Sequence, residues 1–161
     1  MARVQRYGSD RTNQKLYFAK QALKVAADAP NVQKEQMARE EVVFHLVGVY
    51  GALLAELGYA HGMSLAAQNE DQIVAWLENQ KMVSPELEMI RQQKAVIDRL
   101  QQALSLSLHT PKRVEQEVDD TLIMGGSKDP IAWLPKTEEL KDMLSLYKEL
   151  VAQMRESMIQ V

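Results

Sequence analysis

The chain contains no cysteine, which excludes disulfides, thiolate metal sites and cysteine nucleophiles together. That absence fits a reducing compartment, and a cytoplasmic location is the expectation. The basic start, Met1 to Arg6, is not followed by a continuous apolar run, so no signal peptide is expected. The most apolar stretch, Val42 to Leu57, is shorter than the roughly 20 residues a membrane span needs. His45 and Glu56 also interrupt it, so it reads as a buried core helix and no membrane partner is expected. Excess positive charge is missing as well: a formal net charge of -3 argues against bulk nucleic-acid binding.

What remains is ordinary globular material: 161 residues, 46% hydrophobic and 25% charged, enough for one domain over 1–161 with a core of its own. The periodicity is helical. Leu16, Ala19, Leu23 and Ala26 form a stripe on a first helix starting near Ser9 or Asp10 and ending at Pro30. Asn31 caps a second, whose main face is Ala38, Val42, Leu46, Val49, Leu53, Leu57 and Ala60. Phe44, Val47 and Leu54 make it apolar nearly all round, the pattern of a central helix with neighbours on several sides. Gly48 and Gly51 permit a close crossing there, and Gly58 or Gly62 supplies the stop.

A third helix is expected over Ser64 to Gln80, carrying Ile73, Trp76 and Leu77 inward. The fourth opens at Ser84-Pro85, with Glu86 and Glu88 at the positive end of the dipole. It carries Ile90, Ile97, Leu100, Leu104 and Leu108 to the stop at Thr110-Pro111. The last runs from about Thr137 with an unbroken seam: Leu140, Leu144, Tyr147, Val151, Met154, Met158 and Val161. Between these two lies an irregular segment of about 111–135, in which Leu122 to Met124 and Trp133 with Leu134 are expected to dock as anchors. The fold class is therefore all-α, an antiparallel bundle of about five helices.

Most routes to chemistry are closed by missing partners. No Glu-x-x-His occurs, so a di-iron bundle is excluded, and neither a metal nor another cofactor is expected. The acidic run Glu115 to Asp120 lacks the glycine and terminal glutamate of an EF-hand loop. Gly125-Gly126-Ser127-Lys128 lacks the full Walker pattern. There is no Gly-x-Ser-x-Gly elbow. One candidate survives: Arg39 and His45, with five residues between them, fit the loose arginine–histidine pattern of the HEPN superfamily of helical ribonucleases and nucleotidyltransferase partners. An arginine neutralises a phosphate while a histidine moves protons near neutral pH. The opposing reading is a core or boundary histidine paired with Glu41, one turn before it. A basic N-terminal stretch, in which Arg3, Arg6, Arg11, Lys15, Lys20 and Lys24 face only Asp10 and Asp28, carries Tyr7, Tyr17 and Phe18 among its charges. It is either a nucleic-acid footprint or, the favoured reading, a surface that meets acidic neighbours.

Arg11-Thr12-Asn13-Gln14-Lys15-Leu16-Tyr17-Phe18-Ala19, followed by Arg39-Glu40-Glu41, Phe44-His45-Leu46 and Tyr50, resembles the first two helices of a family of short bacterial proteins of unknown function. The resemblance transfers no activity. It implies that Arg11, Asn13, Tyr17, Arg39, Glu41 and His45 form a recurring polar set where the first two helices meet, fixing their register. The favoured reading is accordingly a non-enzymatic interaction or scaffold protein, a homodimer or the partner of another chain through its C-terminal helix. The alternative is a HEPN-like RNA-processing enzyme or nucleotidyltransferase partner using Arg39 and His45.

Overall fold

The structure, a computed structural model, describes residues 2–109 and 132–159, with side chains over 9–109 and 132–158. Six helices make up the described part: α1 (Ala2–Ala27), α2 (Val32–Ala60), α3 (Glu70–Gln80), α4 (Pro85–Arg91), α5 (Lys94–Leu108) and α6 (Thr137–Ile159). No strand occurs among the described residues, so the fold is all-α. The anchors at Leu122 to Met124, the acidic run and the glycine pair at Gly125-Gly126 lie outside the described residues.

Local chemistry accounts for most boundaries. Asn31 Oδ1 accepts from Lys34 N at 2.9 Å and opens α2. Gly62, at φ +91°, closes it, with Met63 N donating to the Gly58 carbonyl at 3.0 Å. Residues 64–68 do not join the third helix, because Asn69 caps it later by accepting from Gln72 N. The expected fourth helix is two: Gln93 N bonds back three residues to Ile90, which tightens the chain between α4 and α5. No glycine or proline marks this break. It arises because α4 packs on α6 whereas α5 packs on α2.

α2 is the hub, flanked by α1 along its length and touched by α3, α5 and α6. Val42, Leu46, Val49, Leu53 and Leu57 are buried, joined in the core by Ala19 of α1, Ile73 of α3, Ile97 and Leu100 of α5, and Leu134. Trp133 packs partly against them, so Trp133 and Leu134 dock as expected. The seam of α6 is spent inside the bundle: Leu140, Leu144, Tyr147, Leu150, Val151 and Met154 are all buried. α1, α2 and α4 pack against that helix, while Met143, Leu146 and Met158 stay only partly buried. Two further expectations are corrected. Leu108, placed on the inward stripe, is exposed at the last turn of α5, and Phe44, placed among neighbours, is 52% exposed. By length and composition α2 is apolar enough to cross a membrane, yet half of its most apolar window is buried in the bundle.

Candidate functional site

The six residues expected to form one polar set are dealt to three places. Arg39, only 2% exposed, turns to the other end of the chain: its Nε donates to the Pro135 carbonyl at 2.9 Å and its Nη2 to the Leu134 carbonyl at 2.8 Å. Glu35 stands 3.8 Å from Nη1 and accepts from the Thr137 hydroxyl at 3.4 Å. Arg39 thus seats the approach to α6, where a charge-assisted bond to a carbonyl is stronger than a neutral one. Asn13 faces α6 and accepts from Arg155 Nη1 at 2.7 Å. The same guanidinium grips the buried Glu56 at 2.8 and 3.2 Å, and Thr12 donates to that carboxylate at 2.8 Å. This knot ties α1, α2 and α6.

Arg11, Glu41 and His45 do converge, on the outer side of the α1–α2 pair, with Tyr17 beside them. The rings run in a chain. Tyr17 and Phe18 lie 6.4 Å apart between centroids, Phe18 and His45 5.3 Å, and His45 and Phe44 5.3 Å. Lys15 lays its aliphatic stem across Gly48, where a Cβ would meet Lys15 Cδ at 2.9 Å, and sets its ammonium 4.8 Å from the Phe44 centroid. Burial first, then Arg11, pushes the Lys15 ammonium below its ordinary range. Burial, then the charge of Lys15, lowers His45, with Glu41 pulling the other way. His45 Nδ1 is sealed from solvent with no hydrogen-bond partner among the described residues. His45 is therefore a neutral wall of this patch. It is not brought to Arg39, since six residues along a helix turn two side chains about 120° apart.

The structure also assembles a cluster that sequence spacing did not reveal. His61 Nε2 lies 3.1 Å from Ser84 Oγ, Ser84 Oγ lies 3.1 Å from Glu86 Oε2, and Ser157 donates to Glu86 Oε1 at 3.0 Å. Serine, histidine and carboxylate invite comparison with a hydrolytic triad, but the order differs. A triad places histidine between acid and serine, one on each ring nitrogen. Here the same ring nitrogen faces both, 4.0 Å from Glu86. Ser84 Oγ also accepts the α4 capping bond from Leu87 N at 3.2 Å, and Glu86 is 1% exposed. Ser84 Oγ donates its hydrogen bond to Glu86 and stays in hydrogen-bond contact with His61 Nε2, so the cluster clamps the end of α2 to α4 and α6. The only sequence signal was Ser84 as a cap.

A cleft of about 480 Å³ opens where α2, the start of α3 and α5 meet, over Tyr50 and Ile97. Its charges are mostly paired already: Tyr50 donates to Glu70 at 2.7 Å, Arg91 stands 3.9 Å from that carboxylate, and Lys94 holds Asp98 at 2.8 Å. Burial and the bond to Glu70 keep the Tyr50 phenol far above its ordinary range. No group of three histidine, aspartate or glutamate side chains is placed to hold a metal among the described residues.

The uncovered surface is concentrated elsewhere. Tyr17, Val25, Val32, Met37 and Phe44, five of the nine exposed large hydrophobic side chains among the described residues, belong to the α1–α2 pair. No curated protein and no solved structure matches the chain. A family of unknown function, DUF6586, matches residues 7–160, nearly the whole chain, and the chain belongs to that family.

Proposed function

We propose that this chain is a non-enzymatic interaction protein of the cytoplasm that docks a protein partner on the outer face of α1 and α2. The observation that carries this reading is the uncovered ridge of α2, the most apolar helix, on which Met37 is 53% and Phe44 52% exposed. Apolar surface gathered on one face of a soluble domain is the usual mark of a docking site. The rim suits the role, since Arg11, Lys15 and Glu41 supply charge beside the rings. Arg39 supports it differently. As a clamp on two carbonyls it does structural work, which weakens the HEPN-like reading.

A photo-crosslinking residue placed at position 44, in cells producing the chain, tests the proposal. One adduct of defined mass is expected from position 44, lost when Met37→Lys is added beside it. The exposed Asn79, on α3 away from the ridge, serves as the control position and should give none. Absence of an adduct at 44, or equal labelling from 79, ends the reading.

A further inference from the structure

The ridge of α2 is complementary to itself. Met37, Phe44 and Gly51 are spaced by seven residues, two turns, and so share one side of the helix. Met37 is a bump and Phe44 a half-exposed ring. Gly51 is a hollow, where an added Cβ would meet nothing within 4 Å. We infer, building on the interaction reading above, that the partner is a second copy of this chain, its α2 laid antiparallel on the first about a two-fold axis at Phe44.

With the axis there, Phe44 meets its own copy and Met37 falls opposite Gly51 on both sides, so bump enters hollow twice. Glu41 falls level with Val47 of the second copy, one residue from position 48, where that copy's Lys15 lies across its glycine. An exposed carboxylate then faces an ammonium in each half of the contact. A parallel arrangement would set Met37 on Met37, Gly51 on Gly51 and Glu41 on Glu41, stacking bumps, hollows and like charges. Self-complementarity of this reciprocal kind, in which residue i meets j and j meets i, is what a two-fold dimer requires. An unrelated apolar helix would find the ridge but would not need the matched reversal of both shape and charge.

Light scattering behind a sizing column, from about 1 to several hundred micromolar, reads the result. The full chain should move from its monomer mass of 18.3 kDa to twice that. Phe44→Glu should hold it at the monomer mass with its helical circular dichroism intact, since that side chain is half exposed. Glu41→Lys and Lys15→Glu should each weaken the dimer at least tenfold, and together restore most of it. A monomer at every concentration overturns the inference. So does a dimer indifferent to Phe44→Glu, or a double reversal no better than either single change. A monomeric chain that still crosslinks from position 44 to a different protein would sink the self-pairing and leave the interaction reading standing.

Discussion

α6 and α2 carry the two longest apolar patterns in the chain, and they end up differently. The seam of α6 is regular and narrow, and its three neighbours cover it: Leu140 and Met154 have no exposed surface. α2 is apolar nearly all round, its neighbours cover the inward faces, and Met37 and Phe44 stay in solvent. The lesson concerns how surplus apolar surface is recognised. A clean seam says that a helix has a partner, and an antiparallel bundle supplies one from the same chain. Surplus is measured by the width of the apolar stripe against the directions from which neighbours arrive.

The largest expected effect would break that contrast outright. Leu140→Ala should cost about 2–5 kcal/mol, the range for emptying a fully buried leucine site. Phe44→Ala, measured at low concentration, should cost about 1 kcal/mol or less, as befits a half-exposed side chain. Urea denaturation of both variants gives the comparison. Equal losses would mean that the ridge is covered after all. Next in size is Arg39→Ala, which strands the Leu134 and Pro135 carbonyls and should cost about 2–4 kcal/mol. A variant of unchanged stability would remove the clamp from the account and return Arg39 to the list of candidates for chemistry.

Arg39 also shows how far the sequence could be read. Stripes and caps were legible because they are local: Asn31, Ser84-Pro85 and Gly62 act within one turn. The break at Gln92-Gln93 was not, since it is imposed by packing on two different helices. In the site, Arg11, Glu41 and His45 were legible as a group because antiparallel neighbours bring the same turns together. Asn13 and Arg39 were misplaced for one physical reason: their partners lie on or just before α6, more than 90 positions along the chain. Backbone carbonyls such as those of Leu134 and Pro135 leave no signature in composition. Ser84, His61, Glu86 and Ser157 come from three helix ends, and no spacing rule joins them.

A smaller effect separates the two histidine environments by acid. His45 and His61 are both lowered, chiefly by burial. A histidine whose folded pKa is depressed binds fewer protons folded than unfolded, so stability is full above its ordinary value of 6.5 and falls as pH drops through it. The urea midpoint should therefore be lower at pH 5.5 than at pH 7.5. His45→Gln should flatten part of that slope, and the remainder belongs to His61 in its clamp. A midpoint that rises on acidification would reverse the sign and contradict both assignments.

The smallest effect is the sharpest probe of the ridge, because its sign depends on concentration. Gly51 lies in the interior of α2, where glycine costs about 1 kcal/mol relative to alanine. A methyl group there meets nothing in the monomer. Gly51→Ala should therefore raise the stability of the dilute chain by about 0.5–1 kcal/mol. Gly48→Ala should gain less, since Lys15 must lift its stem from the helix, and Gly58→Ala should lose, with Met63 Sδ at 2.9 Å and Ala67 Cβ at 3.2 Å in the way. At high concentration the ranking turns over if Met37 of a second copy occupies the hollow. The methyl group then takes space the dimer uses, and Gly51→Ala should shift self-association to higher concentration while the monomer melts later. A variant that destabilises the dilute chain would show that position 51 is not open, and the self-complementary ridge would lose its hollow.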